Sequence, residues 1–444
     1  MSSADTASVK HEQRLDAEPN SEATPVAPQA PAPPPDGGSR AWLAVAGGWL
    51  CQFCSFGFIN ALGSFTEIYQ SDILKSESAS NISWILTTQL FLMFFLSQPV
   101  GVGVDMFGAR PMLILSFVLS VAGLIGLSFA TQYWQIFLAQ SLCFGLGSAA
   151  AFIPGLVVAG QYFKKKRALA LGIVASGSSC GGVVFPVMLA RLFDSIGFRP
   201  TMRWCALLIG VLLAIANLLV RPAMPAKGLA GRRNLISFAT FKKPTYLFYV
   251  SGAFLVFWGL FGPFDYLPAF ALGNKSTEGV ALYTVSIINA SSIPGRILPN
   301  MYADRLGSSL KSITLCAFLA GVSVLVIWLP ISYHNSLGGL IVFAIVFGFT
   351  SGAFVSLMTP AIIEVAGGHS SDLGVMLGTF FVVVALASLT GLPIQTATVT
   401  EKADGGGYDM LGLIVFCGVT MLLGSALLGW TARLAGKRKA AAAS

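Results

Sequence analysis

Gly101–Pro111 reads GVGVDMFGARP and sits between two long apolar runs. Asp105 and Arg110 are the only charges between Glu77 and Lys164. A carboxylate, a glycine and an arginine in a short turn, pinned between two membrane-length stretches, read as a joint at the inner surface of a bilayer. Asn300–Lys311, NMYADRLGSSLK, is a weaker copy. Its Asp304 lies 199 residues after Asp105. The two copies imply a chain built from two similar halves.

Composition supports this. The 444 residues are 55% hydrophobic and only 10% charged, and the mean hydropathy is +0.75. A soluble domain carries about 25% charged residues; this chain needs lipid as its solvent. A bilayer core takes about 20 apolar residues per helix. Twelve such runs are present, near 42–65, 84–104, 111–130, 135–158, 168–190, 204–220, 245–272, 281–302, 312–330, 337–360, 373–397 and 410–430. The chain thus divides into a tail over 1–40, a six-helix bundle over 41–220, a basic central loop over 221–244, a second six-helix bundle over 245–430 and a tail over 431–444. Residues 1–40 are rich in Ala and Pro and lack an apolar core. They are expected to be disordered and to contain no cleavable signal peptide.

Basic residues set the orientation. Twenty of the 27 Lys and Arg fall on one side if the N-terminus is cytoplasmic, and six on the other. That excess predicts both termini in the cytoplasm. The net charge of +8 is spread over short loops, which fits membrane orientation and excludes a nucleic-acid face. The seven cysteines all lie in apolar runs and read as packing residues. No HExxH, paired CxxC, Walker or Ser/His/Asp pattern occurs, so neither enzyme chemistry nor a cofactor or metal is expected.

The halves also repeat inside the spans. Phe144-Gly145, Ser148, Ala150 and Pro154 match Phe347-Gly348, Ser351, Ala353 and Pro360. Two halves with internal repetition are a plan shared by many secondary transporters. On that plan Asp105, Gly108 and Arg110, with Asp304 and Arg305, form an inner gate, because a carboxylate beside a helix end can accept orphan amides or pair with an arginine. The stretch ALALGIVASGSSCGGVVFP, Ala168–Pro186, supplies small residues for close helix approach.

Arg296 is the charge deepest in a span. An intramembrane arginine costs roughly 2.5–3.5 kcal/mol even on lenient scales and normally faces a cavity. It reads as a counter-ion for an anionic substrate; a structural pair or snorkelling is the alternative. Asp265, between Pro263 and Pro268, is a candidate proton carrier. Asn60, Gln89, Tyr266 and Asn289 are candidate substrate contacts, although a polar residue so placed is more often a helix–helix hydrogen bond than a ligand. Asn81-Ile-Ser and Asn274-Lys-Ser are glycosylation sequons in outward loops.

At these residues the chain resembles a major facilitator, specifically the fungal branch of the monocarboxylate transporter family. Gly101, Asp105, Gly108 and Arg110 resemble the superfamily loop signature, with Met106 where a basic residue is usual. Asp36-Gly-Gly-Ser-Arg-Ala-Trp42, Tyr162-Phe163 with Arg167–Gly172, Asn60 in GFINALGSF, Ser83-Trp84 with Gln89, and Gly295-Arg296 with Asp304-Arg305 are similar to the family's marks. The resemblance implies an all-α integral membrane protein of twelve transmembrane helices in two bundles, rocking between states. It also implies a small-molecule substrate, often a carboxylate moved with protons, and a working monomer in the cell membrane, with the vacuolar membrane the alternative. Arg296 falls at the family's substrate arginine. Ser292 replaces the Asp one turn before it, and Ile59 and Asn60 stand where animal members carry a basic residue. Both departures weigh against lactate-type transport. The two expectations are a carrier of a small organic anion, and an exporter of a secondary metabolite made by a neighbouring biosynthetic cluster.

Overall fold

The computed structural model describes residues 36–226, 228, 238–273, 277–334, 336–367, 373–401 and 408–443. Eleven helical stretches there are long and apolar enough to cross a membrane. In the first half they are α1 Ser39–Ile73, α2 Ser80–Phe107, α3 Ala109–Phe129, α4 Tyr133–Tyr162, α5 Arg167–Ile196 and α6 Phe198–Leu219. In the second they are α7 Pro244–Leu272, α9 Ser309–His334, α10 Leu337–Val365, α11 Leu373–Ala397 and α12 Leu411–Ala443. The twelfth, α8, is Thr284–Leu306. Its 23 residues span about 34 Å at the α-helical rise, enough for a bilayer. Its polarity reflects partners inside the protein, described below. Among the described residues the all-α plan is broken only by a two-residue antiparallel pair, Thr400–Glu401 against Tyr408–Asp409.

Several boundaries differ from the hydropathy reading for local reasons. α1 runs on to Ile73 through Glu67, Gln70 and Asp72, whose polarity hides the helix from a hydropathy window. α12 continues past residue 430 through Arg433, Lys437 and Arg438. The folded unit also begins earlier than residue 41. The Asp36 amide donates to the Tyr162 carbonyl at 3.1 Å, and its carboxylate accepts from the Lys164 and Lys165 amides at 2.5 and 2.7 Å.

Alternating helices bring Ser39, Phe107, Tyr162, Arg167, Leu219 and Leu306 to one face, called here the tail side. Gly108 (φ 85°) and Gly307 (φ 65°) turn the chain there. Both have backbone angles that a side chain rarely tolerates, so the duplicated motif is a duplicated turn. In the first half, 72% of the apolar window of α1, α4 and α5 is buried, against 39% for α3 and α6. The former line the middle; the latter present Ile114, Val118, Leu207 and Leu218 outward, as lipid contact requires.

Each half has its own apolar core. The first is centred on Phe58, whose ring lies 4.9 Å from Phe144 and 5.1 Å from Phe185. The second is centred on Trp328 against Phe343 at 5.2 Å. The second core also takes in Phe56, Phe94 and Phe152 from the first half. The halves therefore meet through aromatic rings.

Two outcomes follow from this packing. A Cβ at Gly172 of α5 would collide with the Arg296 carbonyl of α8. Gly172→Ala should cost about 1–3 kcal/mol by overpacking, read as a lower melting temperature. Gly436→Ala, which meets open space, should leave it unchanged. At Asp36 burial pushes the carboxyl up, but the amides of Lys164, Lys165 and Lys166 and the Lys165 charge outweigh it and hold the group below its ordinary 3.8. A depressed folded value means that this contact stabilises above pH 3.8 and is lost as pH falls through the still lower folded value. Hydrogen exchange at residues 36–42 should show protection lost in that acid window. Asp36→Asn should lose it at every pH.

Candidate functional site: an apolar cleft above a polar seam

Small residues on α5 allow α8 to lie against it along its length. Besides Gly172, a Cβ at Gly182 would strike Asn289. α8 answers with a polar stripe at helical spacing: Asn289, Ser292, Arg296, Asn300 and Asp304. Ser179 donates to the Ser292 hydroxyl at 3.0 Å. Asn300 donates to the Arg296 carbonyl at 2.7 Å and to Ser356 at 2.6 Å. At the tail side the Asp304 carboxylate accepts from the Ala168 and Leu169 amides at 3.1 and 2.8 Å. These are orphan N–H groups of the first turn of α5, a natural seat for a carboxylate. Gly177 and Gly181 belong to the same run of small residues. They face α1, against Trp49 and Gly57.

Arg296 is 4% exposed and makes all its hydrogen bonds in the seam. Nη1 donates to the Ala175 carbonyl at 2.8 Å and to the Ser178 hydroxyl, and Nε to Ser292 at 3.2 Å. The Phe56 ring lies 5.9 Å from its Cζ. No carboxylate is within ion-pair distance; among the described residues the one ion pair is Asp72–Lys75 at 4.0 Å on the surface. A buried guanidinium here is satisfied by a carbonyl and two hydroxyls of fixed geometry.

Above the seam, away from the tail side, two helices break. α1 leaves helical geometry at Asn60 and Ala61 (Ala61 φ −93°, ψ 15°). α7 breaks at Phe261, just before Pro263. Between the breaks lies a cleft with a cavity volume of about 30 Å³. Its walls are Ile59, Asn60, Leu62, Gly63 and Leu90 from the first half and Phe261, Phe264, Asp265, Val285 and Leu392 from the second. Asn60 donates through Nδ2 to the Ser178 carbonyl at 3.2 Å. Ser178 thus binds Asn60 with its carbonyl and Arg296 with its hydroxyl. The Asp265 side chain is exposed to the cleft and has no partner among the described residues.

One turn below the cleft, Phe56, Phe94 and Phe152 meet Phe257 and Phe381. Phe94 stacks on Phe381 at 6.2 Å and lies edge-on to Phe257 at 6.1 Å; Phe152 meets Phe381 at 5.9 Å. All five rings are buried. Across the interface from the seam, the buried Gln98 of α2 fills the space where a Cβ on Gly378 of α11 would stand. Seam, rings and Gln98 together close the tail side.

The candidate residues therefore separate. Asn60 and Asp265 share the cleft; Arg296 lies behind Ser178 and Phe56. Gln89 is fully buried inside the first half, where Oε1 accepts from Gln140, itself bonded to Tyr69. Asn289 packs in the seam and donates to Val285 at 3.0 Å. Tyr266 shares a 2.5 Å hydrogen bond with Thr396, within the second half. Asp105 is half-buried, and Arg110 and Arg305 are exposed; none makes an ion pair or side-chain hydrogen bond among the described residues. The arginine-paired latch is absent in this state, and Asp304 closes onto backbone amides instead. Asn81 lies in the first turn of α2 and donates to Glu77 at 2.8 Å. Asn274 lies outside the described residues. Sequence reasoning missed Ser178, whose partners are 118 residues away in both directions, and the aromatic floor, because phenylalanines in apolar runs give no signal of their own.

Two six-helix halves around a central cleft, closed on one face, define a membrane transporter. The Major Facilitator Superfamily profile matches residues 48–392, and the chain belongs to that superfamily. It is 42% identical to the MFS-type transporter hasB of Aspergillus fumigatus over 413 residues, 90% of each chain. It is 38% identical to the fujikurins efflux protein of Gibberella fujikuroi, over 89% of this chain and 83% of that one. Among solved structures, the human organic anion transporter MFSD10 (TETRAN) superposes with a TM-score of 0.63 at 15% identity, over 88% of this chain and 99% of that one. That likeness shows the fold alone. The relatives are fungal transporters and efflux proteins of the superfamily rather than monocarboxylate porters in particular.

The seam predicts a specific shift. A hydrogen bond to a charged group contributes about 1.5–3 kcal/mol, and Asp304 makes two across the halves. Asp304→Ala should move the population away from the tail-closed state by tenfold or more in ratio. Labelling of a cysteine placed at Ser176, in a chain otherwise free of cysteine, should accelerate from the tail side. An unchanged rate would show that Asp304 does not hold the closure.

Proposed function

We propose that this chain is an alternating-access exporter of a mostly apolar secondary metabolite, here closed toward the cytoplasm. The cytoplasmic assignment of the tail side rests on the twenty-to-six excess of basic residues there. The carrying observation is the composition of the cleft: eight of its ten lining residues are apolar or glycine, and the guanidinium that would hold a small carboxylate is engaged behind it. Efflux relatives at more than 30% identity over most of the chain support the same reading.

In this mechanism the cleft holds the substrate near the middle of the membrane. The tail side opens when Asp304 leaves the α5 amides, Arg296 gives up Ala175 and Ser178, and the aromatic floor parts. Each closure contact lies between the halves, so a rigid rocking motion breaks them together. Asp265 carries the coupling proton, because it is a carboxylate without a partner among the described residues, in a cleft whose other walls are apolar except for Asn60. A difference of one pH unit supplies about 1.4 kcal/mol per proton. The cleft is complete within one chain, so the monomer suffices. The cell membrane is the place where such export clears a product.

Inverted vesicles bearing the chain should accumulate an apolar fungal metabolite when a pH gradient is applied, and should not accumulate lactate. Leu90→Trp, which fills the cleft from α2, should cut that flux about tenfold or more while leaving the melting temperature within a few degrees. Lactate uptake by the wild type, with no metabolite flux, would overturn the exporter reading.

A further inference from the structure

The groups that line the cleft have a chemical bias that the proposed function does not use. Ser178 O is a carbonyl and can only accept, so the Asn60 amide must turn its NH₂ toward it. That fixes the amide orientation and leaves Oδ1, which has no partner among the described residues, as the Asn60 acceptor free to serve a ligand, beside the second N–H of Nδ2. Asp265 adds a carboxylate with no hydrogen bond and no ion pair among the described residues. Pro268 has no N–H, so the carbonyl of Phe264, on the same wall, loses its helical donor. The remaining side chains are aliphatic, aromatic or glycine. No lining side chain carries a positive charge, and the one spare donor is the second N–H of Asn60 Nδ2. The nearby cation, Arg296, is turned to α5 and separated from the cleft by Ser178 and the Phe56 ring.

We propose that the cleft selects metabolites carrying a protonated amine on an apolar body, with Asp265 as the ion-pair anchor and Asn60 Oδ1 as a second acceptor. This rests on the exporter reading and names its substrate class. Three acceptors in an apolar enclosure leave a carboxylate-bearing ligand with at most a single N–H of Asn60 to meet it and with direct repulsion from Asp265. An ammonium meets a charge and up to three acceptors in surroundings where such contacts are strong. Phe261 and Phe264 supply ring surface for the apolar body and for the cation itself.

The test uses three probes of one shape: naphthylmethylamine, naphthalenemethanol and naphthoate. Binding to the full chain in detergent is measured by calorimetry at neutral pH. The expected order is amine, then alcohol, then carboxylate, with the amine at least about tenfold tighter than naphthoate. Asp265→Asn should bring the amine to the affinity of the alcohol, and Asp265→Glu should restore the preference. Melting temperatures of both variants report that they fold. Equal affinities, no binding of any probe, or an amine preference that survives in Asp265→Asn would overturn the proposal. So would a naphthoate preference lost in Arg296→Gln, which would return the site to the guanidinium. Selective, Asp265-dependent binding of the amine without gradient-driven flux would leave this site standing and remove the exporter reading instead.

Discussion

A guanidinium with no anion near it sits between the two halves of this protein, and much of the structure is arranged around satisfying it. In a membrane interior an unpaired cation is expensive. Arg296 of α8 is made tolerable by a carbonyl and a hydroxyl of α5, with Ser292 on its own helix. Those bonds require the helices to touch, and they touch only because positions 172 and 182 of α5 are glycine. The charge thus enforces closure of one face. When the halves part, the guanidinium must find water, a new partner or an anion. It makes the closed state specific and leaves an open state with an unmet demand.

The same closure creates a cleft of different character on the other side. Asn60 links the two regions, because it holds the carbonyl of the residue whose hydroxyl holds Arg296. The aromatic floor is the third part. Phe94 on Phe381 joins α2 to α11, and Phe152 on Phe381 joins α4 to α11. Ring contacts carry no charge and no directional bond stronger than an edge-to-face preference. They can separate and re-form without leaving a polar group stranded. Polar contacts thus set the register of closure, while apolar contacts seal it.

The sequence and the structure agree on the elements and disagree on partnerships. Arg296 was legible as a buried charge from its place in span 8, but the identity of its partners was not, since Ala175 and Ser178 are unremarkable in a run of small residues. Asp304 was singled out from its likeness to Asp105, yet its partners are backbone amides, which no side-chain pattern can reveal. Asn60 and Asp265 were singled out separately and share one cleft. Gln89, Asn289 and Tyr266 found partners within their own bundle or seam, the commoner fate of a polar side chain in lipid.

Hydropathy, the duplicated glycine turns and the distribution of Lys and Arg fixed the number of spans, the two halves and the expected sidedness, because these follow from the cost of placing each residue in lipid or water one at a time. What faces what was decided only in three dimensions. Whether an arginine meets a ligand or a carbonyl depends on the rotation and separation of helices more than a hundred residues apart, and that is set by where glycines let backbones approach and where bulky rings hold them off.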